Sequence, residues 1–284
     1  MKDGILLVHK PVGMTSREVV NFLMKKLNTR KMGHTGTLDP FAEGLMIVTV
    51  NKGTKISSFI EEFDKSYLAE LTLGASTDTL DCDGRILEEK KVDLPLDAAQ
   101  VRTVLESFKG EIEQIPPMYS AIKVDGEELY KKARRGEEIA RKARRVFISD
   151  IRLISIDKEK IVFSADCSKG TYIRTLGADI AERLNYPGHL TSLTRLKVGR
   201  YNLKMAKTPE EIEESDILSI GEALQHLPSF TVTGNDEFKV KNGCKIALPL
   251  DADICLIKDK ARLPLAIYRK EKDGVYACLR GLIG

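Results

Sequence analysis

The chain has 284 residues, a length that suggests two domains or one large domain with a small one. Its 45 basic and 42 acidic side chains give a formal net charge of +3, which excludes a generally polycationic coat for nucleic acid and requires local segregation of charge for any such surface. Hydrophobic residues make up 42% of the chain, which excludes wholesale disorder and allows a sizeable core.

The first part of the chain alternates between strand and helix patterns. Thr15 and Glu18 have the spacing of a capping box, which indicates the start of a helix. That helix is expected to bury a face formed by Val19, Phe22, Leu23 and Leu27. The other predicted elements are a strand over 4–9, a glycine-rich loop over about 30–44, a buried strand over 45–50, a helix over 56–63 and an alternating strand over 67–73.

The second part continues in the same way until its character changes near Pro228. The predicted elements are an amphipathic helix over 97–108, a hairpin of strands over 146–156 and 161–167, a helix over 171–184 that Thr171 can cap, and a strand over 189–198. Short strand-like runs follow Pro228, punctuated by Gly, Asp and Asn. The sequence therefore predicts a large domain over 1–228 and a small all-β module over 229–284.

Basic residues cluster in three segments that acidic stretches separate. Residues 1–60 carry nine basic and four acidic side chains, residues 131–145 carry eight and two, and residues 192–207 carry five and none. A single cluster of this kind is typical of a solvated helix face. The three together favour a polyanion as the partner.

The spacing of cysteines and histidines disfavours a metal site. Five cysteines and four histidines are scattered without a C-x-x-C or H-x-x-x-H pattern, which is typical of reduced thiols in a cytoplasmic protein. No Gly-rich phosphate loop or dinucleotide fingerprint is found, so a nucleotide cofactor has no support. The apolar runs are shorter than the roughly 20 residues that a membrane helix needs, and the apolar stretch near the N-terminus is too short for a signal peptide.

Residues 33–44, GHTGTLDPFAEG, are the first segment that could carry chemistry. Its three glycines let the backbone approach a ligand, and Pro40 restrains Asp39 to an extended conformation. That restraint could hold a carboxylate in one direction, with His34 and Thr35 nearby. The alternative is a plain turn in which Asp39 hydrogen-bonds its own backbone, and the pattern by itself names no reaction.

Two further segments are candidates for the same site. In CSKGTYIRTLGADI (167–180), Arg174 falls in the first turn of the predicted helix, where a cation opposes the helix dipole. That placement makes sense if Arg174 pairs with a carboxylate from elsewhere, although a solvated face would also accept it. Tyr67 begins a strand, where it could stack on a flat ligand or lie in the core of the sheet.

These segments occur in the order in which they are found in the TruB family of pseudouridine synthases, which the chain resembles. GILLVHKPVGMTS (4–16) and TSLTRLKVGRY (191–201) resemble that family as well, and residues 229–284 are similar to its short RNA-binding PUA module. The resemblance implies an α+β fold with a largely antiparallel sheet. It also implies an isomerase without a cofactor, which flips the T-loop uridine-55 out of the tRNA stack and converts it to pseudouridine. Nothing in the sequence demands more than a monomer.

The resemblance also implies roles for single residues. Asp39 matches the catalytic aspartate, Tyr67 the tyrosine stacked on the target base, and Arg174 the arginine that pairs with the carboxylate. The residues implied to hold the RNA or the flipped base are His34, Tyr172, Leu193, Lys55 and Arg195. The segment over about 119–147 resembles the family's mobile basic insertion, which covers the RNA.

The implied reaction explains why these residue types belong together. An ionised carboxylate can hold one fragment covalently while the base turns, and a guanidinium keeps a buried carboxylate charged. We therefore expect an ion pair of Asp39 with Arg174 at the floor of a pocket. The sequence leaves open whether Asp39 attacks the sugar or the base, and whether Asp39 or a water held by Tyr67 takes the proton from C5. Alternative functions are a guide-RNA-dependent pseudouridine synthase and an RNA-binding chaperone that folds tRNA.

Overall fold

The computed structural model describes residues 2–120, 122–124, 126–272 and 274–283. Ala121 and Asp125 of the predicted insertion, Asp273 and Gly284 of the predicted module, and Met1 lie outside the described residues. The described chain forms a ten-stranded sheet, a five-stranded sheet and two small hairpins. No helix within the described ranges is long and apolar enough to cross a membrane.

The strands are β1 (Gly4–Lys10), β2 (Met32–His34), β3 (Glu43–Val50), β4 (Lys65–Leu73), β5 (Ala75–Thr77), β6 (Ile86–Glu89), β7 (Gly110–Gln114), β8 (Lys123–Val124), β9 (Glu127–Glu128), β10 (Arg144–Asp157), β11 (Lys160–Cys167), β12 (Gly188–Val198), β13 (Tyr201–Asn202), β14 (Leu218–Ser219), β15 (Ser229–Thr231), β16 (Ile246–Ala247), β17 (Ile254–Lys258), β18 (Pro264–Lys272) and β19 (Val275–Gly281). The α-helices are α1 (Ser16–Lys26), α2 (Ser57–Glu61), α3 (Ala98–Glu106), α4 (Leu129–Arg134), α5 (Ile173–Arg183), α6 (Ile220–Ala223) and α7 (Gly234–Lys241).

The main sheet confirms the predicted α+β fold with a largely antiparallel sheet. Its strand order is β14-β1-β3-β12-β4-β11-β10-β7, with β2 on β3 and β13 on β12. All of its pairings are antiparallel except that of β12 with β3, which joins Thr194 to Glu43 and Arg195 to Gly44. The long hairpin of β10 and β11 turns at Lys158, in a left-handed backbone conformation (φ 52°).

The register of the central strands aligns several predicted site residues on one face. Side chains on β4 alternate between buried and partly exposed, as period two predicts. Tyr67 on β4 lies opposite Arg195 on β12, and Leu193 lies opposite Ala69 two positions along. Because directly opposed residues point to the same face of a sheet, these side chains share the face on which α5 packs.

A hydrophobic cluster joins the C-terminal sheet to the main sheet. Ile5 and Ile47 of the main sheet pack in one cluster with Leu256 and Ile267 of the smaller sheet. The smaller sheet has the order β15-β17-β18-β19-β16. Because apolar side chains from both parts share this core, the division into two domains at about residue 228 stays a prediction.

Three predicted details of the helices differ from the structure. In α1 the Thr15 capping box is present, but Val20 is buried and Phe22 is exposed. The helix expected over 56–63 consists of a 3-10 helix over Asn51–Ile56 followed by the short α2. Thr171 does not cap α5, because its hydroxyl donates to the carbonyl of Ser168.

The C-terminal module contains one helix that the sequence analysis did not predict. Helix α7 buries only Val240, while Phe238 remains largely exposed. An apolar stripe of this kind is too weak to give a clear helical period. The first strand-like run after Pro228 is the short β15, and α7 begins three residues after it.

Candidate active site

The loop between β2 and β3 presents Asp39, and contacts beside Asp39 and at the start of β3 fix it. The hydroxyl of Ser16 on α1 accepts a hydrogen bond from the Leu38 amide at 2.8 Å and donates to the Leu38 carbonyl at 3.0 Å. Gly44 has a φ of +112°, and a Cβ on it would lie 2.5 Å from the Arg195 carbonyl oxygen. The loop therefore needs glycine where it passes β12, and it holds Asp39 in one direction.

The side chain of Asp39 forms an ion pair with that of Arg174 on α5. Arg174 Nε lies 3.0 Å from Asp39 Oδ2, and Nη2 donates to Oδ1 at 3.2 Å. The Arg174 side chain is 4% exposed and that of Asp39 is 33% exposed. Both carboxylate oxygens of Asp39 thus contact the Arg174 guanidinium, and the carboxylate remains partly exposed to the cavity. The alternative in which Asp39 only closes its own turn does not describe this geometry.

Arg174 is fixed by further partners besides Asp39. Its Nη1 donates to the carbonyl of Thr79 at 2.7 Å, and its Nη2 donates to the carbonyl of Tyr119 at 2.7 Å. A second carboxylate, that of Asp81, lies 3.3 Å from Nη1 and is almost fully buried. Burial raises the pKa of Asp81, against the opposing effects of its hydrogen bonds and of Arg174. The guanidinium is therefore locked between two carboxylates.

A cavity of about 710 Å³ opens above this pair. Its volume falls in the range of about 300–1,000 Å³ that is usual for small-molecule sites. Of the predicted site residues, those that line it are His34, Asp39, Tyr67, Tyr172, Arg174, Leu193 and Arg195. Lys55 does not line it: its ammonium donates to the carbonyl of Ile283 at 3.2 Å, against the C-terminal segment. We therefore leave Lys55 out of the site.

Part of the cavity wall is formed by aromatic and apolar side chains. Tyr67 and Leu193 are buried, and Tyr172 is partly buried at the start of α5. Burial raises the pKa of both tyrosines, so their phenols stay neutral near pH 7. Burial lowers the pKa of His34, and its Nδ1 finds no hydrogen-bond partner within the described chain. Flat rings and a neutral imidazole suit an uncharged planar ligand.

Arg195 has a different place from the one expected for an RNA-binding side chain. It is 2% exposed, and its guanidinium donates to the carbonyls of Leu45 at 2.7 Å, Gly36 at 3.1 Å and Thr37 at 3.4 Å. These carbonyls flank Asp39 on both sides along the chain. Arg195 therefore holds the loop, and binding a phosphate would require its guanidinium to give up these carbonyls.

The basic segment 192–207 is partly neutralised by its own neighbours. Arg195 is buried, Arg200 donates to the carbonyl of Glu222, and Lys207 lies 2.6 Å from the Asp216 carboxylate. Only Lys197 and Lys204 of its five cations are exposed without such a bond among the hydrogen bonds of the described residues. The segment is a weaker polyanion surface than its composition indicates.

Lys10 supports the loop from below and was missed by the sequence analysis. Its buried ammonium donates to the carbonyls of Met14 at 2.6 Å, Pro11 at 2.8 Å and Pro40 at 3.5 Å. Burial lowers the pKa of Lys10 to about 8, although the nearby Asp39 carboxylate acts in the opposite direction. The Lys10 ammonium, which donates to the carbonyl of Pro40 next to Asp39, therefore loses its charge close to neutral pH.

Gln114 fixes the start of α5 and was also missed. At the end of β7 it is buried, and its amide oxygen accepts from the Tyr172 amide at 3.0 Å. Its amide nitrogen donates to the Tyr172 carbonyl at 3.3 Å. The two bonds hold the residue that precedes the helix bearing Arg174. A glutamine gives no sequence signal for such a clamp, because its partner is backbone 58 residues away.

We expect Gln114→Glu to lower the free energy of unfolding by about 2–3 kcal/mol, since a buried carboxylate would face the Tyr172 carbonyl without a donor. Chemical denaturation of the native protein and the variant measures this change. Gln100→Glu is the matched control, because Gln100 is exposed in the first turn of α3, where a negative charge is tolerated. Equal stability of the two variants would contradict the clamp.

The predicted basic insertion begins beside the site. It contains the β8–β9 hairpin and α4, and its first residue, Tyr119, gives its carbonyl to Arg174. Arg135 pairs with Glu127 at 2.6 Å and with Glu137 at 2.7 Å. Arg141 donates to the carbonyl of Pro116 at 3.0 Å. The root of the insertion thus contacts the same guanidinium that holds Asp39.

Comparisons with known proteins agree on one family. The family model described as TruB family pseudouridylate synthase (N terminal domain) matches residues 24–173. The tRNA pseudouridine synthase B of Bacillus subtilis (strain 168) is 44% identical over 262 residues, covering 88% of this chain and 85% of that protein. The protein of the same name from Mesoplasma florum is 38% identical over 281 residues, covering 99% of this chain and 98% of that protein.

Solved structures with the same fold are more distant in sequence. A chain in the "Crystal Structure of a Cbf5-Nop10-Gar1 Complex" aligns with a TM-score of 0.72 at 24% identity, covering 96% of this chain and 80% of that one. A chain in the "Structure of H/ACA RNP bound to a substrate RNA containing 2'-deoxyuridine" aligns with a TM-score of 0.73 at 21% identity, covering 99% and 85%. At these identities the likeness concerns the fold.

Proposed function

Because this chain belongs to the TruB family of pseudouridylate synthases, we propose that it isomerises uridine-55 in the T loop of tRNA to pseudouridine with Asp39 as the nucleophile. The observation that carries the proposal is the two-pronged pair of Asp39 and Arg174 below a cavity with Tyr67 on its wall. The names of the curated relatives support tRNA as the substrate.

The reaction requires a carboxylate that stays charged inside a cavity. The Asp39 carboxylate has its counter-ion, the Arg174 guanidinium, 3.0 Å away at the floor of the cavity. Asp39 forms a covalent bond to one fragment while the bond between N1 and C1′ breaks and the base turns, and the bond to Asp39 breaks again before the product leaves. The new bond joins C5 to C1′, the hydrogen on C5 leaves as a proton and N1 gains one. The sum is an isomerisation that consumes no co-reactant.

The target base has to leave its stack in the folded T loop. Eversion costs a few kcal/mol, which stacking and pocket contacts offset. Tyr67 supplies a flat wall for the base, Leu193 an apolar contact, and Tyr172 lines the entrance with a neutral ring. His34 lines the cavity and, in this proposal, contacts the RNA with its ring. The PUA-like module over 229–284 adds a second RNA surface in this proposal, and the enzyme acts as a monomer.

Release of tritium from tRNA labelled at uridine C5 tests the function. The native protein is expected to release one equivalent of tritium per tRNA. A tRNA with cytidine in place of uridine-55 is expected to bind and to release none. Equal release from both tRNAs would contradict the assignment of uridine-55 as the target. No release from either tRNA would contradict the proposal that the protein is a pseudouridine synthase.

We expect kcat/KM to fall above pH about 8, because Lys10 then loses the charge that steadies Pro40 and faces Asp39. The free energy of unfolding should move the other way. The pKa of Lys10 lies below its ordinary value of 10.5, so the unfolded chain binds more protons between pH 8 and 10.5 and stability rises there. The alkaline loss of activity is therefore not caused by unfolding.

Rate and denaturation profiles from pH 6 to 10 measure both trends. The control is Lys10→Met, which should be slower at pH 7 and lack the alkaline decline. Burial also lowers the pKa of Lys65, which lines the cavity. An unchanged decline in Lys10→Met would contradict the role of Lys10 and assign the titration to Lys65.

A further inference from the structure

Four cationic side chains line the cavity in the described part of the chain, and they differ in what they can reach. Lys65, Arg174 and Arg195 are buried. Lys65 donates to the carbonyl of Glu61 at 2.6 Å, and the two arginines are bonded as described above. The fourth, Lys169, has a side chain that is 55% exposed. Among these four, Lys169 is the cation that an arriving anion meets first.

In the free protein the ammonium of Lys169 is occupied by Glu62. The two groups lie 2.5 Å apart, and the Glu62 side chain is 61% exposed. Glu62 follows α2, Lys169 lies in the turn between β11 and α5, and both residues line the cavity. Their side chains are more exposed than those of Asp39 and Arg174. Their ion pair is therefore a solvent-accessible part of the cavity lining.

This ion pair is poorly suited to a structural role. Both side chains are long and exposed, so water and salt screen their attraction, and holding them together costs side-chain entropy. Glu61 and Glu62 also place negative charge where a polyanion must enter. A phosphodiester is a strong partner for the Lys169 ammonium, and binding it releases counterions from the RNA. Exchange of Glu62 for a phosphate is therefore favourable.

We propose that Lys169 binds a backbone phosphate of the RNA beside the everted uridine, and that Glu62 occupies this phosphate position until RNA arrives. The inference rests on the proposed function. Lys169 precedes Gly170, whose φ of +80° closes the turn into α5. The bound phosphate is therefore held by the same turn that leads to Tyr172 and Arg174. Glu62 thereby favours polyanions over uncharged ligands, because a neutral nucleoside carries no negative charge that could replace the Glu62 carboxylate at Lys169.

The test is tRNA affinity over a series of salt concentrations for Lys169→Gln, Glu62→Gln and the double variant. Lys169→Gln should weaken binding at low salt and reduce the slope of log K against log salt by about 0.7–0.9. Glu62→Gln should tighten binding up to about fivefold, as expected for release of an exposed ion pair. In the Lys169→Gln background, Glu62→Gln should have a smaller effect than in the native protein.

The control is an ion pair away from the cavity whose lysine is as exposed as Lys169. Lys109 and Asp150 lie 3.0 Å apart outside the cavity lining, and Lys109→Gln should leave the salt slope unchanged. An unchanged slope in Lys169→Gln, or weaker binding in Glu62→Gln, would overturn the proposal. Tritium release by the native protein separates the two levels of inference. If the native protein releases no tritium, the proposed function is wrong. If it releases tritium and Lys169→Gln leaves the slope of log K against log salt unchanged, only the phosphate site is wrong.

Discussion

Replacing Arg174 with Lys is expected to lower kcat about 10²–10³-fold while tRNA affinity changes little, the magnitude typical for loss of a preorganised donor at a reacting centre. A lysine keeps the charge but has no planar fork. It cannot pair with both oxygens of Asp39 and also donate to the carbonyls of Thr79 and Tyr119. The buried carbonyls would lose their partners, and Asp39 would lose its fixed direction.

Single-turnover rates and tRNA binding measured side by side separate the two effects. Arg183→Lys is the matched control, because Arg183 belongs to the same helix and its guanidinium packs over Phe108 near the surface. That variant should keep native turnover. An Arg174→Lys protein with native turnover would show that the fork is not needed and would contradict the role of the ion pair.

Replacing Asp39 with Asn is expected to abolish pseudouridine formation, by at least about 10⁴-fold, since an amide cannot form the covalent intermediate. Asn has the size of Asp, and Asp81 remains to pair with Arg174. The cavity should therefore keep its shape. Binding of tRNA should be retained or slightly tightened, because one negative charge leaves the floor of a site for a polyanion.

The nucleoside composition of tRNA after prolonged incubation measures this loss. Asp83→Asn removes the same charge from an exposed residue near the site and should be as active as the native protein. Loss of tRNA binding in Asp39→Asn would contradict the separation of binding from chemistry.

The parts of this fold that follow from local periodicity could be predicted from the sequence. Strand β4 alternates as its residues do, and the β10–β11 hairpin turns at the predicted residues. Arg174 in the first turn of α5 pairs with a carboxylate from far along the chain, as predicted for a cation that opposes the helix dipole. Where periodicity is weak the prediction failed, as at α7, whose apolar side chains are few. The exposed Phe22 shows that helical spacing alone does not identify which neighbouring apolar residue is buried.

The supporting residues of the site could not be predicted, for a common physical reason. Lys10, Gln114 and Arg195 bond backbone carbonyls and amides, which every residue possesses and which leave no trace in the sequence. Asp81 lies in a generally acidic stretch, so nothing distinguished its carboxylate from exposed neighbours. Arg195 and Lys55 were matched by position, and only burial and partners showed that one holds the loop and the other lies outside the cavity.

The most direct test of Asp39 as the nucleophile is a single-turnover measurement of tritium release from tRNA labelled at uridine C5, with enzyme in excess. Native protein should release one equivalent in a single exponential phase. The Asp39→Asn protein, at concentrations that saturate its measured tRNA binding, should release none above background. Release by the variant at the native rate would contradict the account, because the chemistry would then proceed without the carboxylate that Arg174 holds.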